Sequence, residues 1–338
     1  MLDLIIWCTR SFYILSTVTI IAVRLIPDLK DRFLFYGARD VQDHTYPRHH
    51  QHHQHHHNQQ QQPPSLLSQL LDHVKTWKVP HSWFIHFYIL SLLLSTISIV
   101  MIIITTTTTT TLSSSSHLNI FTSTTTNTSP LLCSFLMFIQ SSRRLLECFF
   151  LTTTKSTSRM WIGHYFIGLA FYFFINLAIY VEYLAFNAVD ENENKNKNRD
   201  NQTSPSGKTS TAYLKFIYIL LFVYCSYKQN VYHRYLSSLK KYTLPDKNPF
   251  QKLVAPHYTA ECGIYLSLVL LETTKIKPDG YHGNHVNINV NWSLICALLF
   301  VMVNLGVTAD GTRTWMMTKF PERRKEVETR WRMIPPFW

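Results

Sequence analysis

Seven long apolar stretches alternate with polar ones along the chain. Each approaches the roughly 20 mainly apolar residues that a helix needs to cross the core of a bilayer. Because a helix is the only open-chain structure that satisfies its own backbone groups in lipid, these stretches predict helices. The fold class is therefore an all-α, polytopic membrane protein with about seven transmembrane helices. The predicted spans are 5–26, 82–104, 131–151, 161–186, 213–229, 258–272 and 292–309.

Three polar, low-complexity inserts interrupt this pattern. They are a His/Gln run from Arg48 to Gln62, a Thr/Ser run at 105–128 and an Asn/Lys/Glu-rich run at 190–207. None holds enough apolar residues to pack a core, so each is predicted to be a disordered loop. Residues 1–81 then carry the first transmembrane helix and the His/Gln-rich loop. Residues 82–338 form a membrane-embedded domain that contains the two later inserts.

The predicted loops on one side of the membrane are the more basic. Residues 228–252 hold six Lys/Arg against one acidic residue, whereas the opposing loop 187–212 is balanced at four against four. By the positive-inside rule, the first side and the C-terminus face the cytosol. The three N-x-S/T sequons, at Asn127, Asn201 and Asn291, all fall on the opposite side, where glycosylation takes place.

The composition narrows the choice of ligands. A formal net charge of +12 suits phosphate groups or anionic lipids, and in so apolar a chain it argues against nucleic acid. There is no G-x-G-x-x-G fingerprint and no Walker loop, so a dinucleotide would bind here without a Rossmann domain. The run from His44 to His57 lacks ordered spacing, which favours a linker over a metal site, and no metal is expected.

The third and fourth spans carry polar residues at membrane depth. Arg143, Arg144 and Glu147 lie near the cytosolic end of the third span, and such charges usually face a cavity or a partner. Arg143 and Glu147 are four residues apart, so they either pair with each other or contact a cofactor. Asn176 and Tyr180 share a face of the fourth span, where hydrogen bonding between helices is the simpler interpretation.

The loop that joins the fifth and sixth spans is cationic. Lys240, Lys241 and Lys247 can reach phosphate groups, although contact with lipid headgroups is the better explanation for any one of them. His257 and Glu261 follow, four residues apart, in the first turns of the sixth predicted helix. The helix dipole favours a carboxylate there, which accounts for Glu261 alone but not for the pair.

The end of the last span forms another polar cluster. It consists of Asn304, Thr308, Asp310, Arg313 and Trp315, and a basic, aromatic and Pro-rich tail follows. An anchor of Trp and Arg at the membrane interface is the alternative interpretation of that tail.

From about residue 77 onward, the chain resembles the steroid 5α-reductase family, and the polyprenol reductase branch above all. The motifs SRRLLECFF and APHYTAE weigh most in that choice. The resemblance rests on WFIHFYIL (83–90), SRRLLECFF (142–150), RMWIGHYFIGLAFYF (159–173), HRYLSSLKKYTLP (233–245), APHYTAE (255–261) and IPPFW (334–338). It implies a seven-helix bundle in the endoplasmic reticulum membrane that holds NADPH at its cytosolic side.

The resemblance also assigns roles along the cationic loop. Lys240 and Tyr242 match a basic residue and a tyrosine near the adenosine phosphate of the cofactor. His257 and Glu261 match a polar pair near the nicotinamide, and we assign them to catalysis.

Other cofactor contacts fall on the third and fifth spans. Gln229, Asn230 and His233 match positions that contact ribose or pyrophosphate, and Arg144 or Arg143 matches the basic residue of the third helix.

The chain departs from the family pattern at two places. Arg313 stands where the family has a histidine near the end of the last helix, and we expect it to contact the cofactor. The catalytic Glu and Tyr of the steroid branch have no clear match. His86, Tyr88 and Gln140 are the nearest polar residues, of which His86 and Tyr88 are our catalytic candidates.

The function that this resemblance implies is NADPH-dependent reduction of the α-isoprene double bond of polyprenol, which yields dolichol for protein N-glycosylation. The alkene of an allylic alcohol is not polarised, so we hypothesise that the aldehyde, polyprenal, is the direct acceptor. The alternatives are a steroid 3-oxo-4-ene or enoyl-CoA reductase and, in a different class, a membrane transporter or scaffold. A transporter often shows internal repeats or paired broken spans, and neither is found here.

Overall fold

The computed structural model describes residues 1–34, 65–115, 128–151, 158–196, 206–240, 242–273, 276–278, 286–288 and 290–336. The His/Gln run and the middle of the other two inserts lie outside these residues. The helices are α1 (Leu2–Leu25), α2 (Pro27–Phe33), α3 (Leu66–Lys75), α4 (Phe84–Ser115), α5 (Ser129–Leu151), α6 (Ile162–Asn196), α7 (Ser206–Ser238), α8 (Pro256–Thr273), α9 (Trp292–Lys319) and α10 (Arg324–Thr329). The strands are β1 (Lys78–Pro80), β2 (Arg159–Trp161), β3 (Ile276–Pro278) and β4 (Val286–Ile288).

Each of the seven predicted spans coincides with a helix, namely α1 and α4 to α9. The predicted all-α membrane fold is therefore confirmed in its class. Four stretches of the described residues are both long and apolar enough to cross a membrane, which are Leu2–Leu25, His81–Thr108, Ile162–Ala185 and Trp292–Lys319. The other three helices carry more polar and charged residues, and their crossing of the membrane stays a prediction.

Helices extend further into the polar inserts than the sequence predicts. The Thr run was expected to be a disordered loop, but α4 continues through it to Ser115. Threonine side chains turn back onto the helix there, as Thr105 Oγ1 donates to the Met101 carbonyl at 2.7 Å and Thr106 Oγ1 donates to the Ile102 carbonyl at 2.6 Å. These bonds satisfy the hydroxyls within the helix itself. Likewise α6 runs to Asn196 and α7 begins at Ser206, both inside the third predicted insert.

The first helix belongs to the same bundle as the rest of the chain. Midway along α1, Arg10 donates to Glu182 of α6 at 2.8 Å, and Ser293 of α9 donates to the same carboxylate oxygen at 2.7 Å. Near its C-terminal end, Arg24 bonds Asp310 of α9 at 2.9 Å. Charges inside a membrane helix are costly unless they are paired, so these contacts fix how α1 lies against its neighbours.

The C-terminal tail braces the loop that leads into α8. The Val254 amide donates to the Trp331 carbonyl at 2.8 Å, and the Ala255 amide donates to that of Arg332 at 3.1 Å. In return, the Trp331 amide donates to the Lys252 carbonyl at 2.9 Å. The tail thereby sets the backbone from which α8 starts.

A buried arginine strengthens this brace. Arg330 has no exposed side-chain surface, donates to the Pro245 carbonyl at 2.8 Å and pairs with Glu326. Glu326 is 40% exposed and also accepts from Arg323 at 2.8 Å. The hydrogen bonds from Arg323 and then Arg330 hold the pKa of the Glu326 carboxyl below its ordinary value.

Candidate active site

A cavity of about 1190 Å³ lies among the long helices. It is larger than most pockets that hold a drug-sized ligand, so it has room for two ligands or for one long one. Its wall carries both polar and apolar side chains. The polar part includes Arg24, His86, Tyr88, Arg144, His233, His257, Glu261 and Asp310, and the apolar part includes Ile20, Ile167, Phe171, Phe300, Val301 and Leu305.

Glu147 of α5 is the centre of the polar network. Its carboxylate pairs with both Arg143 and Arg144, which are only 18% and 19% exposed, while Glu147 itself is 6% exposed. It also accepts from Asn230 of α7 at 2.7 Å and lies 2.8 Å from Nδ1 of His233. The predicted pairing of Arg143 with Glu147 is therefore present. One carboxylate faces two guanidinium groups, so the cluster keeps a net positive charge.

Behind the cavity wall, an amide pair locks α5 to α7. Gln140 Nε2 donates to Gln229 Oε1 at 3.1 Å, and Gln140 Oε1 accepts from Arg143 at 2.9 Å and from Ser226 at 3.2 Å. Arg143 also bonds Gln229 directly. Because Arg143, Gln229 and Asn230 do not line the cavity, their contacts position the groups that do.

Tyr88 of α4 meets Arg144 at the cavity surface. Its hydroxyl oxygen accepts from Arg144 Nη2 at 2.7 Å and from Nε at 3.2 Å. With both contacts made through the oxygen, the hydroxyl proton of Tyr88 is available to a ligand. Two residues earlier, His86 lines the same cavity, and its Nδ1 lies 3.0 Å from the hydroxyl of Tyr165.

The start of α8 presents His257 and Glu261 to the cavity. Their spacing of one helical turn puts both side chains on one face. The His257 ring stands edge-on to that of His233, with centroids 5.5 Å apart. Nδ1 of His257 is buried and has no hydrogen-bond partner within the described part of the chain. A buried polar atom without a partner is uncommon in folded proteins, so this nitrogen stands out among the groups near the cavity.

Helix α9 adds a second group of polar residues to the cavity wall. Asn304, Thr308, Asp310 and Trp315, which the sequence grouped as one cluster, all line the cavity. Asp310 pairs with Arg24, and sequence analysis missed this arginine as a cavity residue. A basic residue at the end of a span normally indicates only membrane orientation, so no signal in the sequence set it apart.

Three predicted cofactor residues lie away from the cavity wall. Arg313 donates to the backbone carbonyls of Val327 and Glu328, so it holds α10 against α9. Lys240 is exposed. Tyr242 is 40% exposed with a positive φ of 65°, and Lys319 Nζ lies 4.5 Å from the centre of its ring. Of the twelve predicted site residues, six line the cavity, three stand directly behind it and these three do not reach it.

Among the residues that the structure describes, no group of three His, Cys, Asp or Glu side chains is placed to hold a metal ion. The His run that the sequence assigned to a linker lies outside those residues.

No protein-family model matches the chain, but it is similar to a named enzyme. It is 25% identical over 258 residues to the polyprenal reductase of Saccharomyces cerevisiae, and the match covers 76% of each protein. This similarity confirms the resemblance to polyprenol reductases that the motifs indicate, and it supports an oxidoreductase.

Proposed function

We propose that this protein is an NADPH-dependent reductase that saturates the α-isoprene double bond of a long polyprenyl lipid and so provides dolichol for protein N-glycosylation. The observation that carries the proposal is a single large cavity whose wall holds cationic and hydrogen-bonding groups together with many apolar side chains. The similarity to a polyprenal reductase supports it independently. The basic loops and the motif resemblance favour the endoplasmic reticulum membrane, with the C-terminus in the cytosol.

The polar part of the cavity fits an anionic dinucleotide. Arg144 offers a guanidinium group that suits phosphate, and its cluster carries more positive than negative charge. His257 adds a second aromatic nitrogen heterocycle beside His233 in the wall of the cavity. Arg144, His233, His257 and Glu261 would hold the cofactor, which when bound supplies the hydride for the carbon β to an electron-withdrawing group.

The residues of this chain supply the rest of the chemistry. Because Arg144 donates twice to the Tyr88 oxygen, the Tyr88 proton is polarised and can bond the carbonyl oxygen of an enal. A donor aimed at that oxygen stabilises the negative charge that develops on it. The α carbon then takes a proton, for which the neighbouring His86 and the pair His257 and Glu261 are the candidates.

We further propose that polyprenal rather than polyprenol is the direct acceptor. Saturation of one C=C bond by a hydride and a proton needs an alkene polarised by a carbonyl group, and an allylic alcohol has none. The relative is named for the aldehyde, which agrees with this chemistry.

The test is turnover by detergent-purified protein given NADPH and one of three acceptors, which are polyprenal, polyprenol and a 3-oxo-4-ene steroid. We expect a mass gain of two hydrogens in the α-isoprene unit of polyprenal. Reduction of polyprenol with no reaction of polyprenal would refute the aldehyde proposal. Activity on the steroid alone would move the protein to the steroid branch. Tyr88→Phe should lower kcat/KM about tenfold, and Tyr213→Phe, at an exposed tyrosine of α7 that does not line the cavity, is the matched control.

A further inference from the structure

The short helix α3 has an apolar face that no part of the described bundle covers. Its apolar residues Leu66, Leu67, Leu70, Leu71 and Val74 are spaced to form one continuous face of a helix. Three of them are strongly exposed, Leu66 at 82%, Leu67 at 66% and Leu70 at 55%. In water such a patch of leucines is unfavourable, so the surroundings of this face need an explanation.

The polar face of α3 is fixed to the protein. Arg32 of α2 donates to the Ser68 carbonyl at 3.0 Å and to its hydroxyl at 2.8 Å, and it lies 3.3 Å from Asp72. The Ser65 hydroxyl caps the first turn by accepting from the Ser68 amide at 3.2 Å. Since the polar side is used by α2, the apolar side points away from that contact.

The position of α3 along the chain indicates what the leucines meet. The helix follows α1, an apolar helix of membrane-spanning length, and it ends six residues before the next such stretch begins at His81. Trp77 and Trp83 flank that junction and are 51% and 38% exposed. Exposed tryptophans beside the start of a span are typical of the boundary between lipid and water.

The same corner of the protein forms one edge of the cavity. Trp161 Nε1 donates to the Val74 carbonyl of α3 at 3.0 Å, and the Ile162 amide donates to the Trp77 carbonyl at 2.9 Å. His81, Ser82, Trp83, Ser158 and Met160, which adjoin these contacts along β1 and β2, line the cavity.

We propose that α3 lies in the plane of the membrane surface, with Leu66, Leu67 and Leu70 inserted into the leaflet on the side of the C-terminal tail. An amphipathic helix with a large apolar face and a polar opposite face binds a bilayer in this way. By its bonds to β2 it holds the adjoining edge of the cavity at the level of the lipid, where a long-chain lipid can enter from the side.

The test is photo-crosslinking of the full-length protein in phosphatidylcholine vesicles. A diazirine amino acid replaces Leu67 in one sample and Gln69 in a matched control. Gln69 is exposed and lies two residues on, about 200° around the helix. We expect a phosphatidylcholine adduct on the peptide labelled at 67, at least several-fold above that at 69. Equal labelling at both positions, water-quenched product alone, or a cross-link to protein would overturn the proposal.

A second measurement connects the helix to lipid entry. In the double variant Leu67→Asn, Leu70→Asn, we expect KM for a long-chain polyprenal to rise about tenfold while kcat stays within twofold. An unchanged KM would refute the entry role. This readout rests on the proposed reductase function, whereas the cross-linking does not, so the two can fail separately.

Discussion

Replacing Glu147 by Gln tests whether the arginine cluster is built to receive an anion. The substitution keeps the size of the side chain and an oxygen that accepts from Asn230. It removes the carboxylate that pairs with both Arg143 and Arg144. If Arg144 binds a cofactor phosphate, the variant should be less stable than the wild type without NADPH and should recover most of that stability when NADPH is bound.

The expected magnitude follows from burial. Breaking a buried ion pair by removing one partner costs about 3–5 kcal/mol, because the remaining charge is left uncompensated. Glu147 is 6% exposed, whereas Arg143 and Arg144 keep 18% and 19% exposure, so partial solvation favours the lower end of that range. A loss of about 3 kcal/mol corresponds to a fall of roughly 6 °C in the unfolding midpoint, at about 2 °C per kcal/mol for a larger domain.

The assay is thermal unfolding of detergent-purified protein with and without saturating NADPH. Bound phosphate supplies the negative charge that the variant lacks, so NADPH should raise the midpoint of Glu147→Gln several degrees more than that of the wild type. This excess measures the coupling between residue 147 and the ligand.

Glu326→Gln is the matched control, since Glu326 also joins two arginines but is 40% exposed and lies in the C-terminal tail. The pair with Arg323 is exposed and contributes about 0–1 kcal/mol, whereas Arg330 is buried, so this variant should also lose stability but should gain no more from NADPH than the wild type does. The reasoning is refuted if NADPH stabilises Glu147→Gln no more than it stabilises the wild type.

Three further predictions concern other parts of the molecule. Tyr88→Phe loses the acceptor for Arg144 and should lower kcat/KM for polyprenal about tenfold, measured by NADPH oxidation. Gly168→Ala places a Cβ 2.6 Å from the Phe87 ring and should cost about 1–3 kcal/mol in unfolding free energy, with partial recovery when Phe87→Leu is added. Arg330→Ala should cost about 1.5–3 kcal/mol and speed tryptic cleavage of the loop before α8, whereas Arg330→Lys should cost less.

The apolar pattern of the sequence predicted where helices form but not where they end. A run of threonines has no apolar period, so it was interpreted as a loop, yet α4 continues to Ser115. The reason is local. The hydroxyls of Thr105 to Thr108 each bond the carbonyl one turn earlier. A helix that has already formed in apolar sequence continues into such a segment at little cost. The composition of the run shows that it cannot form a core of its own, but it does not show that α4 continues into it.

The candidate site was predictable where one helix carries several of its residues. The spacing of Arg143, Arg144 and Glu147 indicates a charged cluster, and that of His257 and Glu261 indicates a shared face. Contacts between helices that are distant in sequence were harder to predict. The placement of Arg313 against α10 depends on a turn of the chain after α9, and no pattern within α9 records it.

The braced start of α8 explains why the tail belongs to the candidate site although the described tail does not line the cavity. His257 and Glu261 take their positions from the first two turns of α8, and the backbone just before these turns is paired with Trp331 and Arg332. Arg332 also bonds Asp310, which lines the cavity from α9. The tail therefore fixes the polar groups that both α8 and α9 present to the cavity. A change in the tail should alter both sets of groups together, and its effects on cofactor binding and on lipid turnover should appear in the same variants.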